Sequence, residues 1–203
     1  MSQVTTHAVD PAESPLTPES WGKLGMWVFL AGDAMTFGAL LAAYGAVRAG
    51  ALDWPNPQEV LGIPLTAFMT FLLICSSVTM VKGLSAIKKG DLQGMVRFLG
   101  LTILGGVIFL GLQAYEWTHL INAGLTLSHN PYGNYLFGTT FFTITGFHGA
   151  HVTGGVIYLS VLVVRGLKHK WGAEKANLVE IAGLYWHFVD LVWILVFTFV
   201  YLI

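Results

Sequence analysis

Two segments near the C-terminus carry the residues best suited to chemistry. In the run YWHFVDLVW, His187 and Asp190 are three residues apart, so on a helix they share one face. The run FHGAHV places His148 and His151 at the same spacing. Both runs are otherwise apolar, and an ionisable group at membrane depth is expensive, so it usually marks a partner or a function.

Two acids extend this set. Asp33 lies in the middle of the first apolar stretch, and Glu116, in the run QAYEW, lies near the end of the third. We expect Glu116 to be a solvated or backbone-capping acid, because tryptophan-rich helix ends sit at the membrane interface. Asp33 and His187 fall at similar depths, about 15 Å along their helices. The predicted intramembrane polar network therefore comprises Asp33, Glu116, His148, His151, His187 and Asp190.

Metal or haem ligation is one chemistry that such residues could support, since histidine is the commonest metal ligand and a bundle core can hold a cofactor. His148 and His151 lie on one side of one helix, however, so they cannot bind opposite faces of a haem. A bis-histidine haem would need, for example, His148 and His187. A zinc or di-metal site would require more carboxylates or Glu-x-x-His pairs than the sequence contains. We therefore expect no catalytic residue, cofactor or metal on this chain.

Proton handling and helix packing are the other two interpretations. A buried carboxylic acid such as Asp33 could exchange protons. It could equally accept a hydrogen bond from a histidine on a neighbouring helix and fix the packing. Transport by this chain alone is not expected, because the sequence shows neither an internal repeat nor a broken helix.

The composition indicates an integral membrane protein. Of the 203 residues, 55% are hydrophobic and 10% charged, with a mean hydropathy of +0.67, whereas soluble domains carry about 25% charged residues. The net charge of −1 argues against a nucleic-acid partner. A single cysteine, Cys75, allows no internal disulfide.

Five apolar stretches are long enough, or nearly so, to cross a bilayer. Their apolar pattern is continuous rather than alternating, which predicts helices and not barrel strands. The fold class is therefore all-α, an integral membrane bundle of five transmembrane helices within residues 21–203. Residues 1–20 are expected to form a flexible polar tail. The predicted spans are 24–47, 61–81, 98–121, 135–164 and 178–203.

The basic residues predict the orientation. Nine of the ten lysines and arginines fall at one end of the five spans, and only Arg48 falls at the other. Cytoplasmic loops carry the excess of positive charge, so the N-terminus should be cytoplasmic and the C-terminus outside. The nine are Lys23, Lys82, Lys88, Lys89, Arg97, Arg165, Lys168, Lys170 and Lys175.

Small residues recur every four positions in two of the spans. Such stripes let helix backbones approach closely in a membrane. We interpret them as packing surfaces, with a groove for a lipid acyl chain as the alternative. The first stripe is Ala34, Gly38, Ala42 and Ala46, and the second is Gly146, Ala150 and Gly154.

Several of these motifs resemble subunit III of the haem–copper respiratory oxidases. The resemblance is carried by the FHGAHV run, the YWHFVDLVW run, the LQAYEW run and the basic turn KKGD at Lys88–Asp91. It covers about residues 21–203. The chain is similar to the short bacterial form of the family, which lacks the first two of seven helices and so one wall of the lipid cleft. A partner's helices could supply that wall.

The resemblance implies an accessory subunit without a redox metal. Haem and copper are then expected on partner subunits, and a bound phospholipid is compatible with the family. The expected partners are oxidase subunit I as the main contact, subunit II, and a small subunit IV or a larger respiratory assembly. The expected setting is aerobic respiration at a bacterial plasma membrane, with the subunit stabilising the catalytic subunit and assisting proton uptake.

One position departs from the family pattern. The family carries an intramembrane glutamate that reacts with carbodiimides, and the matching residue is Asp33, in the run FLAGDA. An aspartate there resembles the quinol-oxidase branch. The main hypothesis is a cytochrome c oxidase subunit III. The alternatives are the same subunit of a quinol oxidase or of a nitric oxide reductase, and a small bis-histidine membrane cytochrome.

Overall fold

The computed structural model describes residues 21–203, so the predicted tail at residues 1–20 lies outside the described part. Five helices are long and apolar enough to cross a membrane, as predicted, and the described residues contain no strand. The long helices are α1 (Trp21–Gly50), α3 (Ile63–Lys88), α4 (Leu92–Asn122), α5 (Leu136–His169) and α6 (Ala176–Val196). A short helix, α2 (Pro57–Val60), precedes α3, a 3₁₀ turn (Ala173–Lys175) precedes α6, and a π-helical segment (Phe197–Leu202) continues it.

Local sequence explains the tight turn between α3 and α4. Gly90 adopts a φ of 75°, a left-handed conformation that glycine reaches without steric cost. The next residue, Asp91, caps α4 by accepting a hydrogen bond from the backbone N–H of Gly94 at 2.8 Å. The KKGD run therefore reverses the chain in a few residues and forces α3 and α4 to run antiparallel.

Helix α6 occupies the centre of the bundle. It packs against α1, α3 and α5, while α4 packs against α3 and α5. Its large aromatic side chains Trp186 and Trp193 are almost completely buried. Polar residues on α6 can therefore meet side chains from three neighbouring helices.

Glycines permit the closest of these contacts. A Cβ added at Gly106 on α4 would lie 2.7 Å from the ring of Trp186 and 2.7 Å from Val156. A Cβ at Gly155 on α5 would lie 2.9 Å from the same ring. Trp186 thus fills a space that only glycines leave between α4, α5 and α6.

Helix α1 is the least covered of the five. Only 11% of its most apolar stretch is buried inside the chain, against 33–44% for the other helices. The first small-residue stripe is exposed along its whole length, and a Cβ added at Gly38 would meet nothing within 4 Å. This stripe therefore does not serve packing within the described chain.

The basic end of the bundle is held by an ion-pair cluster. Glu180 at the start of α6 lies 2.5 Å from Nζ of Lys23 on α1 and 3.3 Å from Nζ of Lys88 on α3. The start of α1 and both basic loops consequently lie at the same end of the bundle. The loop at residues 123–135, which has no lysine or arginine, lies at the opposite end.

Candidate functional site

Five of the six polar residues that the sequence singles out fall into three separate groups, and His148 lies alone in the aromatic core. Asp33 pairs with His151, Asp190 lies beside His187, and Glu116 lies near the end of the bundle that is poor in lysine and arginine. No hydrogen bond within residues 21–203 joins one group to another.

The pair in the middle of the membrane is Asp33 and His151. Oδ1 of Asp33 on α1 lies 3.2 Å from Nε2 of His151 on α5, and their side chains are 8% and 14% exposed. The other ring nitrogen of His151, Nδ1, lies 2.8 Å from the carbonyl oxygen of Phe147. A carbonyl can only accept, so Nδ1 carries a hydrogen.

This arrangement fixes the proton content of the pair. With Nδ1 protonated, the contact between Nε2 and Oδ1 needs one further proton, carried by either the imidazole or the acid. Asp33 and His151 therefore share one proton at mid-membrane depth. The backbone of His151 is held as well, because the hydroxyl of Tyr185 on α6 donates to its carbonyl at 2.9 Å. Chemically, the pair can tie α1 to α5 and hold a proton between the two side chains.

The second group is Asp190 with Ser77. The hydroxyl of Ser77 on α3 donates to Oδ2 of Asp190 on α6 at 2.5 Å, and Asp190 is 7% exposed. Its Oδ1 is buried and has no hydrogen-bond partner in the part of the chain that the structure describes. His187, one turn earlier, is close enough to interact electrostatically with Asp190 but makes no hydrogen bond within residues 21–203.

The third group corrects the interpretation of Glu116. This side chain is not solvated: it is 4% exposed, and both of its oxygens accept a hydrogen bond. The hydroxyl of Thr66 on α3 donates to Oε1 and that of Tyr201 donates to Oε2, each at 3.0 Å. The π-helical segment after α6 carries Tyr201, so the C-terminal end of the chain closes over the acid. Glu116 thereby links α3, α4 and the C-terminal segment.

His148 belongs to none of the three groups, because it makes no hydrogen bond within residues 21–203. It is fully buried, and neither ring nitrogen has a hydrogen-bond partner among the described residues. Its ring lies among three aromatic rings, with centroid distances of 4.8 Å to Trp193, 5.6 Å to Phe109 and 6.4 Å to Phe37. The structure therefore places His148 in the aromatic core, where the neutral imidazole packs as a flat ring.

Sequence reasoning missed the residues that complete these groups. Three hydroxyl donors are far in sequence from the acid that accepts their hydrogen bond, namely Ser77, Thr66 and Tyr201. Gln113 was also missed: its amide donates to the carbonyl of Thr145 at 2.7 Å and lies over Gly149. Only Gln113 carried a signal, since a buried amide in the QAYEW run needs a partner as much as Glu116 does.

Within residues 21–203, no group of three or more histidine, cysteine, aspartate or glutamate side chains is placed to hold a metal ion.

Comparisons with known proteins identify the family of this chain. Residues 19–203 match the family model for cytochrome c oxidase subunit III. The chain is 39% identical over 183 residues to the cytochrome c oxidase subunit 3 of Corynebacterium diphtheriae. The aligned region covers 89% of this chain and 87% of that protein. It is 37% identical over 180 residues to the subunit 3 of Bacillus subtilis, covering 88% and 84%. For the subunit 3 of Bacillus sp. strain PS3, the identity is 35% over 179 residues, covering 88% and 84%.

The family match spans nearly the whole chain, and the regions matched in these relatives cover 84–87% of their length. The five-helix bundle with its mid-membrane Asp33–His151 pair therefore belongs to the cytochrome c oxidase subunit III family.

Proposed function

We propose that this chain is an accessory subunit of a proton-pumping haem–copper terminal oxidase that passes electrons from cytochrome c to oxygen. The observation that carries the proposal is the family match over residues 19–203, together with relatives whose names specify cytochrome c oxidase. These names favour cytochrome c over quinol as the donor. They also favour an oxidase over a nitric oxide reductase or a small membrane cytochrome.

The redox chemistry is assigned to partner subunits. What supports this is the packing of the histidines: His148 is enclosed by aromatic rings, and His151 is engaged by Asp33 and by the carbonyl of Phe147. A haem between His148 and His187 would have to displace Trp193 and Phe109 from the core. The expected complex joins this chain to oxidase subunit I, to subunit II, and to a small fourth subunit or a larger respiratory assembly. The haem and copper are expected on partner subunits.

The Asp33–His151 pair is the group through which the chain would assist the oxidase. It lies halfway through the bundle, holds one shared proton and ties the sparsely packed α1 to α5. We assign it two roles, holding the helices in the arrangement that stabilises the catalytic subunit and buffering protons during uptake.

The expected location is the bacterial plasma membrane, with the N-terminus in the cytoplasm and the C-terminus outside. The clustering of Lys23, Lys88 and both basic loops at one end of the bundle supports this orientation.

Purification through an affinity tag on this chain tests the proposal. The tagged chain is extracted in mild detergent, its partners are identified by mass spectrometry, and a reduced-minus-oxidised spectrum is recorded. We expect a large haem- and copper-bearing subunit together with a cytochrome c-binding subunit.

Two other results would overturn part or all of the proposal. A complex with a quinol-oxidising subunit would change the electron donor but keep the accessory role. A lone 22.1 kDa chain with its own haem spectrum would replace the accessory role by that of a membrane cytochrome.

A further inference from the structure

The hydroxyl of Thr66 has two acceptors for its single hydrogen. Its Oγ1 lies 3.0 Å from Oε1 of Glu116 and 3.2 Å from the carbonyl oxygen of Gly62. A hydroxyl carries one hydrogen and two lone pairs, so Thr66 donates to only one of these two oxygens at a time. The other oxygen of the acid has a single donor, because Oε2 accepts from the hydroxyl of Tyr201 at 3.0 Å.

This arrangement satisfies Glu116 both with and without a proton. When the acid is ionised, Thr66 donates to Oε1, and the carbonyl of Gly62 still accepts from the backbone N–H of Thr66 at 3.1 Å. When Oε1 carries a proton, the acid donates to Oγ1 of Thr66, whose own hydrogen turns to the carbonyl of Gly62. Tyr201 donates to Oε2 in either state. No polar atom of the group loses its partner when the proton comes or goes.

Only these hydroxyls stabilise the charge of Glu116 within the described chain. The acid makes no ion pair in residues 21–203, and it is 4% exposed. Burial penalises the carboxylate, whereas two hydroxyl donors stabilise it. These opposing effects keep both protonation states accessible to Glu116.

A pocket lies beside Glu116 at the end of the bundle that is poor in lysine and arginine. It has a volume of about 340 Å³ and is bounded by α2, the start of α3 and the end of α4. Buried Glu116 and exposed Gly62 line it, together with the exposed residues Glu59, Tyr115 and His119. The pocket therefore places both acceptors of Thr66 beside a cavity whose rim reaches the surface.

From these observations we propose that Glu116 is a reversible proton-binding site that exchanges with the aqueous phase at this end of the bundle, with Thr66 as the switching hydroxyl. Binding forms one O–H bond at Oε1 and neutralises the carboxylate, and no electron is transferred. The site is separate from the Asp33–His151 pair, since no hydrogen bond within residues 21–203 joins the two groups. The proposal concerns this chain alone and does not rest on the proposed function.

Other titratable groups surround the site and would respond to the same change of pH. The facing ends of α3 (63–73) and α5 (136–147) carry no ionisable side chain. A signal must therefore be assigned to Glu116 against groups on α2, on α4 and after α6. These are Glu59, Tyr115, His119 and Tyr201.

Infrared difference spectroscopy on the purified complex tests the site. A protonated carboxylic acid has a carbonyl stretching band that the carboxylate lacks, so the difference between wild type and Glu116→Gln reports Glu116. We expect this band to grow as the pH falls and to persist in Asp33→Asn. A difference band that is constant, or absent, over the whole pH range in which the complex stays intact would show an acid fixed in one state and would overturn the proposal.

Variants of Thr66 test the switching hydroxyl and keep Glu116 in place, so they also serve if Glu116→Gln does not assemble. Thr66→Val removes the donor to the carboxylate and the acceptor from the acid. We expect the band to shift and to grow about 100-fold more slowly after a pH jump, the lower end of what a positioned proton-transfer group contributes. Thr66→Ser should restore both. Thr118→Val is the control, because that hydroxyl, near the same end of α4, donates to the carbonyl of Ala114 at 2.7 Å. Equal behaviour of Thr66→Val and Thr118→Val would contradict the role of Thr66.

A one-sided pH jump tests the route through the pocket. The complex is placed in vesicles that are selected for one orientation through the affinity tag. Acidifying the side that faces the pocket should raise the Glu116 band at once, whereas acidifying the opposite side should not. An equal response from both sides would overturn exchange through the pocket.

Discussion

Nε2 of His151 lies 3.2 Å from Oδ1 of Asp33, and this contact joins α5 to α1 halfway through the bundle. The pair needs one shared proton, because the remaining ring nitrogen of His151 donates to the carbonyl of Phe147.

Removing Asp33 should destabilise the chain. Asp33→Ala leaves the imidazole of His151 buried without its partner, which we expect to cost about 1–3 kcal/mol in the free energy of unfolding. Thermal denaturation in detergent measures this effect. Asp53→Ala, an exposed acid in the loop after α1, is the control and should change the free energy by less than about 0.5 kcal/mol.

The double variant isolates the contact itself. If the two side chains interact, Asp33→Ala with His151→Ala should cost less than the sum of the single variants. In the assembled oxidase, Asp33→Ala should also shorten the time over which turnover is sustained or slow proton uptake. Additive stability effects, with turnover and proton uptake unchanged, would show that the pair neither holds the helices together nor assists proton uptake.

The hydrogen bond from Tyr201 to Glu116 should matter more than its position at the chain end suggests. Tyr201→Phe leaves Oε2 of a 4% exposed acid without its donor, which should cost about 1–3 kcal/mol in stability. Tyr115→Phe is a matched control, because Tyr115 is 63% exposed on the same end of α4. Equal effects of the two substitutions on the denaturation midpoint would mean that the acid finds another donor.

A methyl group at Gly106 should disturb the contact between α4 and α6. The Cβ of Gly106→Ala would approach Trp186 and Val156 to 2.7 Å, and forced repacking of this kind typically costs about 1–3 kcal/mol. Gly111→Ala lies on the same helix with nothing within 4 Å, so it should be neutral or stabilise the helix by up to about 1 kcal/mol. The two denaturation midpoints should therefore move in opposite directions or differ clearly. Equal midpoints would show that Trp186 can shift without cost.

His148 should tolerate loss of its imidazole. Because neither ring nitrogen has a partner in the described chain, His148→Leu exchanges an unpaired polar ring for an apolar side chain of similar size. Such an exchange can be nearly neutral or stabilising. His151→Leu, which breaks the pair with Asp33, should be clearly destabilising in the same assay. A large loss of stability from His148→Leu would instead reveal a hydrogen-bond partner supplied by water or by another subunit.

The number and type of the membrane-spanning helices follow from sequence alone. A stretch of about 20 apolar residues must satisfy its backbone polar groups internally in lipid, and a helix does so without neighbours. For that reason all five predicted spans are helices in the structure, and the Lys88–Asp91 turn joins two of them as its composition indicates. The membership of the subunit III family was likewise readable from short runs around Glu116, His148 and His187.

Only the tertiary structure decided which polar residues meet. A contact between Asp33 and His151 depends on how α1 and α5 are rotated about their axes and on how deep each helix lies in the membrane. Residue spacing within one helix determines neither quantity. The same holds for Glu116, which would be solvated on α4 alone but is buried once Tyr201 folds over it. His148 and His151 are three residues apart, yet His148 lies in an aromatic core and His151 contacts a carboxyl group, because Trp193 on α6 approaches the first and Asp33 on α1 approaches the second.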